Sequence, residues 1–274
     1  MIIGRFGEIF LKSKPVKKRF LSQLGNNMRT ALRREEIEAK VNEKRLRLYV
    51  YPKHDSKESE ALNTLKRVFG IVSLSRATET EPEKQRIKEK TEEMIKEWPN
   101  TGTFAVRAQR ITKDHPFTSK DLEEELGAAI NNEKDLEVDL DNPDRTLYVE
   151  VYDDKAHVFT EKVRGPGGVP LGVAGTLKSP LETPEDLAAA WMMMKRGCMI
   201  KLINAKDINP ELKKSFQEWN LTRKEPEGPV GTVTGSTKME KSIKDHEEYQ
   251  RPVYTPLIGM DQKEIEQLKC RIMN

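Results

Sequence analysis

The first 78 residues alternate between the two periods that separate strands from helices, and that alternation leaves few folds open. Residues 2 to 10 read as extended chain. Val16, Phe20, Leu24 and Met28 then recur at every fourth position, as the apolar stripe of a helix does. Ile37 to Val41 reads as a strand that turns around Asn42 and Glu43 into the period-two run Arg45-Leu46-Arg47-Leu48, continued through Tyr49-Val50-Tyr51. Ala61, Leu62 and Leu65 share one face of a further helix, and Val68 to Leu74 closes the set as a buried apolar strand. The order β-α-β-β-α-β is that of a ferredoxin-like sandwich.

The same stretch is electrically lopsided. Between Met1 and Arg34 nine basic side chains (Arg5, Lys12, Lys14, Lys17, Lys18, Arg19, Arg29, Arg33 and Arg34) face one acid, Glu8, whereas the whole chain has 48 basic and 45 acidic residues. A solvated helix face is the ordinary account of a charge run, but such a face balances its charges at i,i+4 and this one does not. The densest part, KSKPVKKRF, sits at a turn-to-helix junction, where backbone N–H groups add to the anion affinity of neighbouring lysines. The pattern points to a phosphate-facing patch.

A second module begins at Pro82. Ile87, Met94, Ile95 and Trp98 mark a helix ended by Pro99-Asn100, and Thr103 to Ala108 reads as a strand delivering Arg107 and Arg110. Leu122, Leu126, Ala129 and Ile130 mark a helix over 119 to 131 started by Thr118 and Ser119, and Leu147, Val149 and Val151 alternate as a strand that turns at Asp153-Asp154 into Ala156 to Val163. GPGGVPLG at 165 to 172, with four glycines and two prolines, reads as a linker. Beyond it Thr183-Pro184-Glu185-Asp186 opens a helix with an N-cap, a proline at the first position and an acid three residues after the cap; Leu187, Ala190, Trp191 and Met194 are its buried face. Met199 to Ile203 and Val230 to Thr234 read as short strands, and Asp261 to Glu264 caps a last helix with Ile265, Leu268 and Ile272 inward. Between 204 and 250 the patterning is weak. The divisions expected are 1–78, 79–165 and 166–274, in an α/β (α+β) chain.

No window approaches the ~20 uncharged apolar residues of a membrane span, and charges interrupt every apolar run of the N-terminus, so a cytoplasmic protein is expected. Cys198 and Cys270 are too few for a disulfide framework, and Cys198, after Gly197, reads as a small core residue. His54, His115, His157 and His246 show no ligand spacing, so no metal is expected.

Gly7-Glu8-Ile9 with Leu11-Lys12-Ser13-Lys14, and Val68-Phe69-Gly70-Ile71 with Ser73, resemble the first, ferredoxin-like domain of the tRNA 4-thiouridine synthetase (tRNA sulfurtransferase) family. Phe104-Val106-Arg107-Ala108-Arg110, Thr118-Ser119, Leu126-Gly127 and Val138-Asp139-Leu140 resemble its THUMP domain, an RNA-binding module, and Arg164-Gly165-Pro166-Gly167-Gly168 resembles the exit from it. The resemblance implies a third, Rossmann-like, PP-loop ATPase-like domain, here reduced. The family's pyrophosphate loop has the form S-G-G-x-D-S. Counting back from Trp191-Met192-Met193-Met194-Lys195-Arg196-Gly197, its places fall on Leu181, Glu182, Thr183, Pro184, Glu185 and Asp186; all five specified places depart from the pattern, and Pro184 at the open place has no N–H. The strand before it is replaced by Thr176 to Pro180.

Two readings follow. In the first the chain binds tRNA, by its acceptor arm and 3′ end, and has no cofactor and no catalytic residue. The RNA track implied by the resemblance runs over Lys12, Lys14, Lys17, Lys18 and Arg19, then Arg107, Arg110, Lys113, Lys162 and Arg164. In the second it is a divergent tRNA sulfurtransferase completed by a separate catalytic subunit. A protein-interaction scaffold accounts for the folds but not for the basic arm. The family resemblance also implies a homodimer, in which a second copy helps to cover the helix face of Leu187, Trp191 and Met194.

Overall fold

The computed structural model describes residues 1–44, 47–203, 208–222, 224, 226–249 and 252–273. They fall into two compact units, one of Met1–Ile3 with Ser75–Val163, the other of Gly4–Leu74 with Arg164–Asn274.

The N-terminal module runs β1 (Ile2–Phe6), α1 (Lys14–Arg34), β2 (Ala39–Lys44), β3 (Arg47–Pro52), α2 (Glu58–Leu65) and β4 (Ile71–Arg76). Its strands lie in the order β4-β1-β3-β2, the ferredoxin-like arrangement, with β2 antiparallel to β3. The stripe Phe20, Leu24 and Met28 is buried against the sheet, as its fourfold spacing requires. Three local expectations change. Residues 8 to 11 form a 3-10 turn instead of continuing the strand, because Ile9 tucks inward and Phe10 donates to the Gly7 carbonyl at 2.9 Å. The β2–β3 register closes on Lys44 opposite Arg47, so Asn42 and Glu43 are strand residues; Arg45 and Leu46 lie outside the described residues. The last strand starts at Ile71, since Gly70 has φ +101 and breaks the run after Val68 and Phe69.

The second module comprises β5 (Thr78–Thr80), α3 (Lys84–Ile95), β6 (Thr103–Arg110), α4 (Ser119–Glu133), β7 (Glu137–Val138), β8 (Arg145–Val151) and β9 (Ala156–Phe159). The sheet order is β5-β9-β8-β6-β7, parallel from β8 to β6 and β6 to β7, antiparallel elsewhere. Thr118 and Asp121 cap α4 reciprocally, at 3.1 and 2.8 Å. The expected strand Ala156 to Val163 stops at Phe159, and Val163–Arg164 form a separate β10 placed beside β4.

The GPGGVPLG stretch is a hydrogen-bonded seam. The Gly165 and Gly167 N–H groups donate to the Val72 and Ile71 carbonyls at 2.9 and 2.8 Å, and Val169 donates to Lys195 at 3.0 Å. A Cβ on Gly168 would stand 2.2 Å from the Lys195 carbonyl oxygen, so close backbone approach explains that glycine.

The C-terminal module contains β11 (Thr176–Ser179), α5 (Pro184–Lys195), β12 (Met199–Leu202), α6 (Pro210–Trp219), β13 (Gly231–Val233), α7 (Met239–Tyr249), β14 (Val253–Tyr254) and α8 (Gln262–Met273). All four strands are parallel, in the Rossmann-like order β12-β11-β13-β14, so the chain direction across the sheet reverses between β11 and β13. Thr176 to Ser179, expected from sequence to stand in place of the strand before the loop, is itself the strand β11. The α5 face of Leu187, Trp191 and Met194 is covered within this unit, at 1%, 2% and 0% exposure. Ile265 and Ile272 of α8, Phe216 and Trp219 of α6, and Phe69 of the N-terminal module complete the cluster, with the Trp191 and Trp219 rings 5.4 and 5.6 Å from that of Phe69. A second copy is therefore not needed to bury that face. Among the described residues no helix is long and apolar enough to cross a membrane.

Candidate nucleic-acid interface and switch-point loop

Two helix N-termini in the second unit present opposite electrostatics. At α1, Ser13 makes no side-chain capping bond and the first turn holds no acid, while Lys14, Lys17 and Lys18 stand on the first turns. At 100° per residue these three share an arc of about 100°, with Arg19 about a further 100° round the helix. Lys12, Lys14, Lys18 and Arg19 are exposed, and Lys17 is half-buried with its ammonium 4.7 Å from the Phe10 ring centroid. Among the described residues none of these five forms an ion pair with a carboxylate. Uncompensated cations at an open helix start are suited to an anion.

In the second module Arg107 is exposed at β6 and bonds the Leu140 carbonyl. Arg110 turns into its own loop, donating to the Phe117 carbonyl at 2.6 Å and to Lys113 and His115 at 3.4 and 3.5 Å. It therefore shapes the 111–118 loop on which Lys113 is exposed. Lys162, also exposed, places its ammonium 3.7 Å from the Tyr148 ring centroid, and Tyr148 stacks on Phe159 at 5.2 Å. Arg164 is exposed on β10, just beyond the boundary and so in the other unit.

The α5 N-terminus lies at the carboxyl ends of β11 and β13, the crevice where a sheet of this order ordinarily receives a ligand. Here backbone donors of the loop meet the protein's own carboxylate. Asp186 accepts the backbone N–H groups of Glu182 and Thr183 at 3.1 Å each, the Thr183 hydroxyl at 3.0 Å and the Gly235 N–H at 2.6 Å. In return the Thr183 hydroxyl accepts the Asp186 N–H at 3.1 Å. Pro184 contributes no donor. Glu185 is held below the usual carboxylate range by its hydrogen bond to Lys269 at 2.8 Å, against the opposing effect of burial. Thr234 donates to the Asp245 carboxylate at 2.8 Å, and Ser236 bonds it too. Burial, with Glu248, Glu182, Asp245 and Asp186 nearby, pushes the Tyr249 hydroxyl up to about 12. The hollow left is about 240 Å³, lined by Thr183, Glu185, Gly235 and Lys241 among others. A wider cleft, of about 870 Å³, lies elsewhere and has Arg34, Lys66, Arg67 and Lys214 balanced by Glu35, Glu60 and Glu218.

Residues 1–75 match the sequence model of the ThiI ferredoxin-like domain, and residues 82–161 that of the THUMP domain. Over 267 residues the chain is 33% identical to a probable tRNA sulfurtransferase of Thermococcus kodakarensis, covering 93% of this chain and 68% of that protein. This chain belongs to the tRNA sulfurtransferase family. The probable tRNA sulfurtransferases of Methanobrevibacter smithii and Methanocaldococcus jannaschii are 34% and 38% identical over 80% and 78% of the chain, which spans 58% of the length of each. A crystal structure of a Pyrococcus horikoshii protein aligns with TM-score 0.84 and 30% identity over 99% of this chain and 98% of that one. The structure of a 4-thiouridine synthetase in complex with RNA and bound ATP shares the fold, with TM-score 0.75 and 24% identity over 99% of this chain and 84% of its own.

Within this tRNA sulfurtransferase fold the Thr183–Asp186 cap is legible in sequence, whereas Asp245, Lys269 and the Gly235 contact are not. Val230 to Thr234 reads as a short strand in sequence; that Gly235 must be glycine follows only from the structure, where an added Cβ would lie 2.4 Å from the Asp186 nitrogen. Cys198 is buried, and burial pushes its thiol up, away from the thiolate that sulfur chemistry uses.

Proposed function

We propose that this chain binds tRNA through its ferredoxin-like and THUMP modules, and that its C-terminal module no longer takes the pyrophosphate of ATP. The observation that carries the second half is the Asp186 carboxylate. A pyrophosphate cradle is a set of backbone N–H groups converging on an anion, and those of Glu182, Thr183 and Gly235 converge on Asp186. A phosphate entering there would displace a carboxylate from three donors and meet Glu185 beside it. The first half is supported by the family, by the uncompensated lysines at α1 and by the exposed Arg107, Lys113, Lys162 and Arg164. Separate titrations with purified tRNA and with ATP, together with ATP–pyrophosphate exchange in the presence of tRNA, test the reading. tRNA binding without exchange supports it; exchange above background overturns it in favour of a sulfurtransferase with a rebuilt site. A homodimer rests on the family resemblance alone, and light scattering against the 31.5 kDa of one chain decides it.

A further inference from the structure

We propose that Phe10 is a stacking platform for an unpaired base of the bound RNA, a contact separate from the phosphate contacts of the lysines around it. The inference rests on the RNA-binding reading above. The turn Glu8–Leu11 is fixed at its base by Ile9, which is fully buried, and by backbone bonds from Phe10 to Gly7 at 2.9 Å and from Lys12 to Ile9 at 3.2 Å. It holds Phe10 and Leu11 outward, at 54% and 83% exposure. Two adjacent large apolar side chains held largely in solvent by the turn, with Ile9 already serving the core, are suited to a partner.

The surroundings narrow what that partner is. Lys12 and Lys14 are exposed nearby, the Lys17 ammonium lies 4.7 Å from the Phe10 ring centroid, and the acid of the turn, Glu8, is paired with Arg196 at 3.7 Å. The ligand must be anionic and must also offer a flat apolar face. A nucleotide has both, and aromatic rings within cationic grooves are the usual means of holding single-stranded RNA. A second copy of this chain would bring like charge against like. Lying in an anionic membrane by an amphipathic helix is not open to α1, whose apolar stripe, Phe20, Leu24 and Met28, is buried in the core. Because Phe10 itself is exposed, its substitution leaves the fold intact.

The test uses the full chain and an RNA minihelix with a single-stranded 3′ end in which an adenine is replaced by 2-aminopurine. Binding to wild type quenches the probe; Phe10→Trp keeps the quenching. Phe10→Leu, which retains apolar bulk but no π face, loses the quenching and weakens binding by about 5- to 150-fold, the range expected for one stacked base. Its salt dependence and its affinity for blunt duplex RNA stay as in wild type. Lys14→Glu does the reverse, lowering the salt slope while leaving the quenching at saturation. If Phe10→Leu matches wild type in affinity and quenching while Lys14→Glu weakens binding, stacking is overturned and RNA binding stands. If wild type binds no RNA, both fall. A change in self-association, or in binding to anionic vesicles, with affinity for the RNA intact, assigns Phe10 to another surface and also overturns the proposal.

Discussion

The carboxylate of Asp186 accepts the N–H of Gly235 at 2.6 Å, so the start of α5 is tied to the turn that leaves β13. The bond spans the place where the strand order reverses, and it sets an internal anion where the Rossmann-like arrangement offers its donors to an external one.

Asp186→Ala should therefore cost stability without restoring nucleotide binding. It strips the acceptor from three backbone N–H groups and removes half of the α5 capping box. Leaving buried donors unpaired costs about 1–3 kcal/mol and losing a cap about 1 kcal/mol. Denaturant unfolding should show that loss, and ATP–pyrophosphate exchange should stay at background because Pro184 and Glu185 remain. A variant as stable as wild type would show that the contact contributes little.

tRNA affinity should fall steeply as salt rises. Removing a single lysine–phosphate interaction should reduce the slope of log K against log salt by about 0.7 to 0.9. Reversing Lys14, Lys17 and Lys18 to Glu should weaken binding by orders of magnitude, whereas Arg110→Lys should act through the 111–118 loop, changing thermal stability along with affinity. Filter binding across a salt series measures the first, a melting curve the second. A flat salt dependence removes the phosphate-contact reading.

The two cysteines should differ in reactivity. Cys270 is exposed; Cys198 is buried and its thiol is pushed up by burial. Cys270 should react with an aromatic disulfide reagent within the native protein, and Cys198 only after unfolding. Fast modification of both would reopen a chemical role for Cys198.

Acid should destabilise the THUMP-containing unit in a specific window. Burial, and then Lys155, hold His157 below its ordinary value, against the opposing pull of Glu79 and Glu150. The unfolded chain thus binds the proton more readily, so stability is present above about pH 6.5 and is lost as pH falls through the depressed folded value. Denaturant midpoints in acid and at neutral pH, with His157→Gln as comparison, should show a decline in the native protein that the variant lessens. A decline as large in the variant would place the titrating group elsewhere.

Much of this fold is legible in residue spacing. The stripe of α1, the period-two run of β8 and the caps at Thr118 and Thr183 need only neighbouring residues to declare themselves, and each is where its pattern places it. What escaped depends on distant partners. Val68 and Phe69 read as strand because they are apolar, but Phe69 is apolar to fill a cluster with Trp191 and Trp219. GPGGVPLG reads as a flexible joint because nothing in those eight letters shows that Ile71, Val72 and Lys195 come to meet it. Of the site, the carboxylates of Glu182, Glu185 and Asp186 around the start of α5 are visible in sequence. That Asp186 would accept the backbone donors, Gly235 among them, is not.

The Phe69 contact also sets an order of events during synthesis. Residues 4–74 belong to one compact unit with residues 164–274, and the intervening stretch, together with Met1–Ile3, forms the other. On a ribosome residues 75–163 emerge before the last third of the chain, and Phe69 must wait until α5 and α6 have been made. The N-terminal module, though first out, finishes last. In the interim its apolar surface around Phe69 is uncovered, so a stalled or truncated product ending before residue 164 should be the aggregation-prone form of this protein.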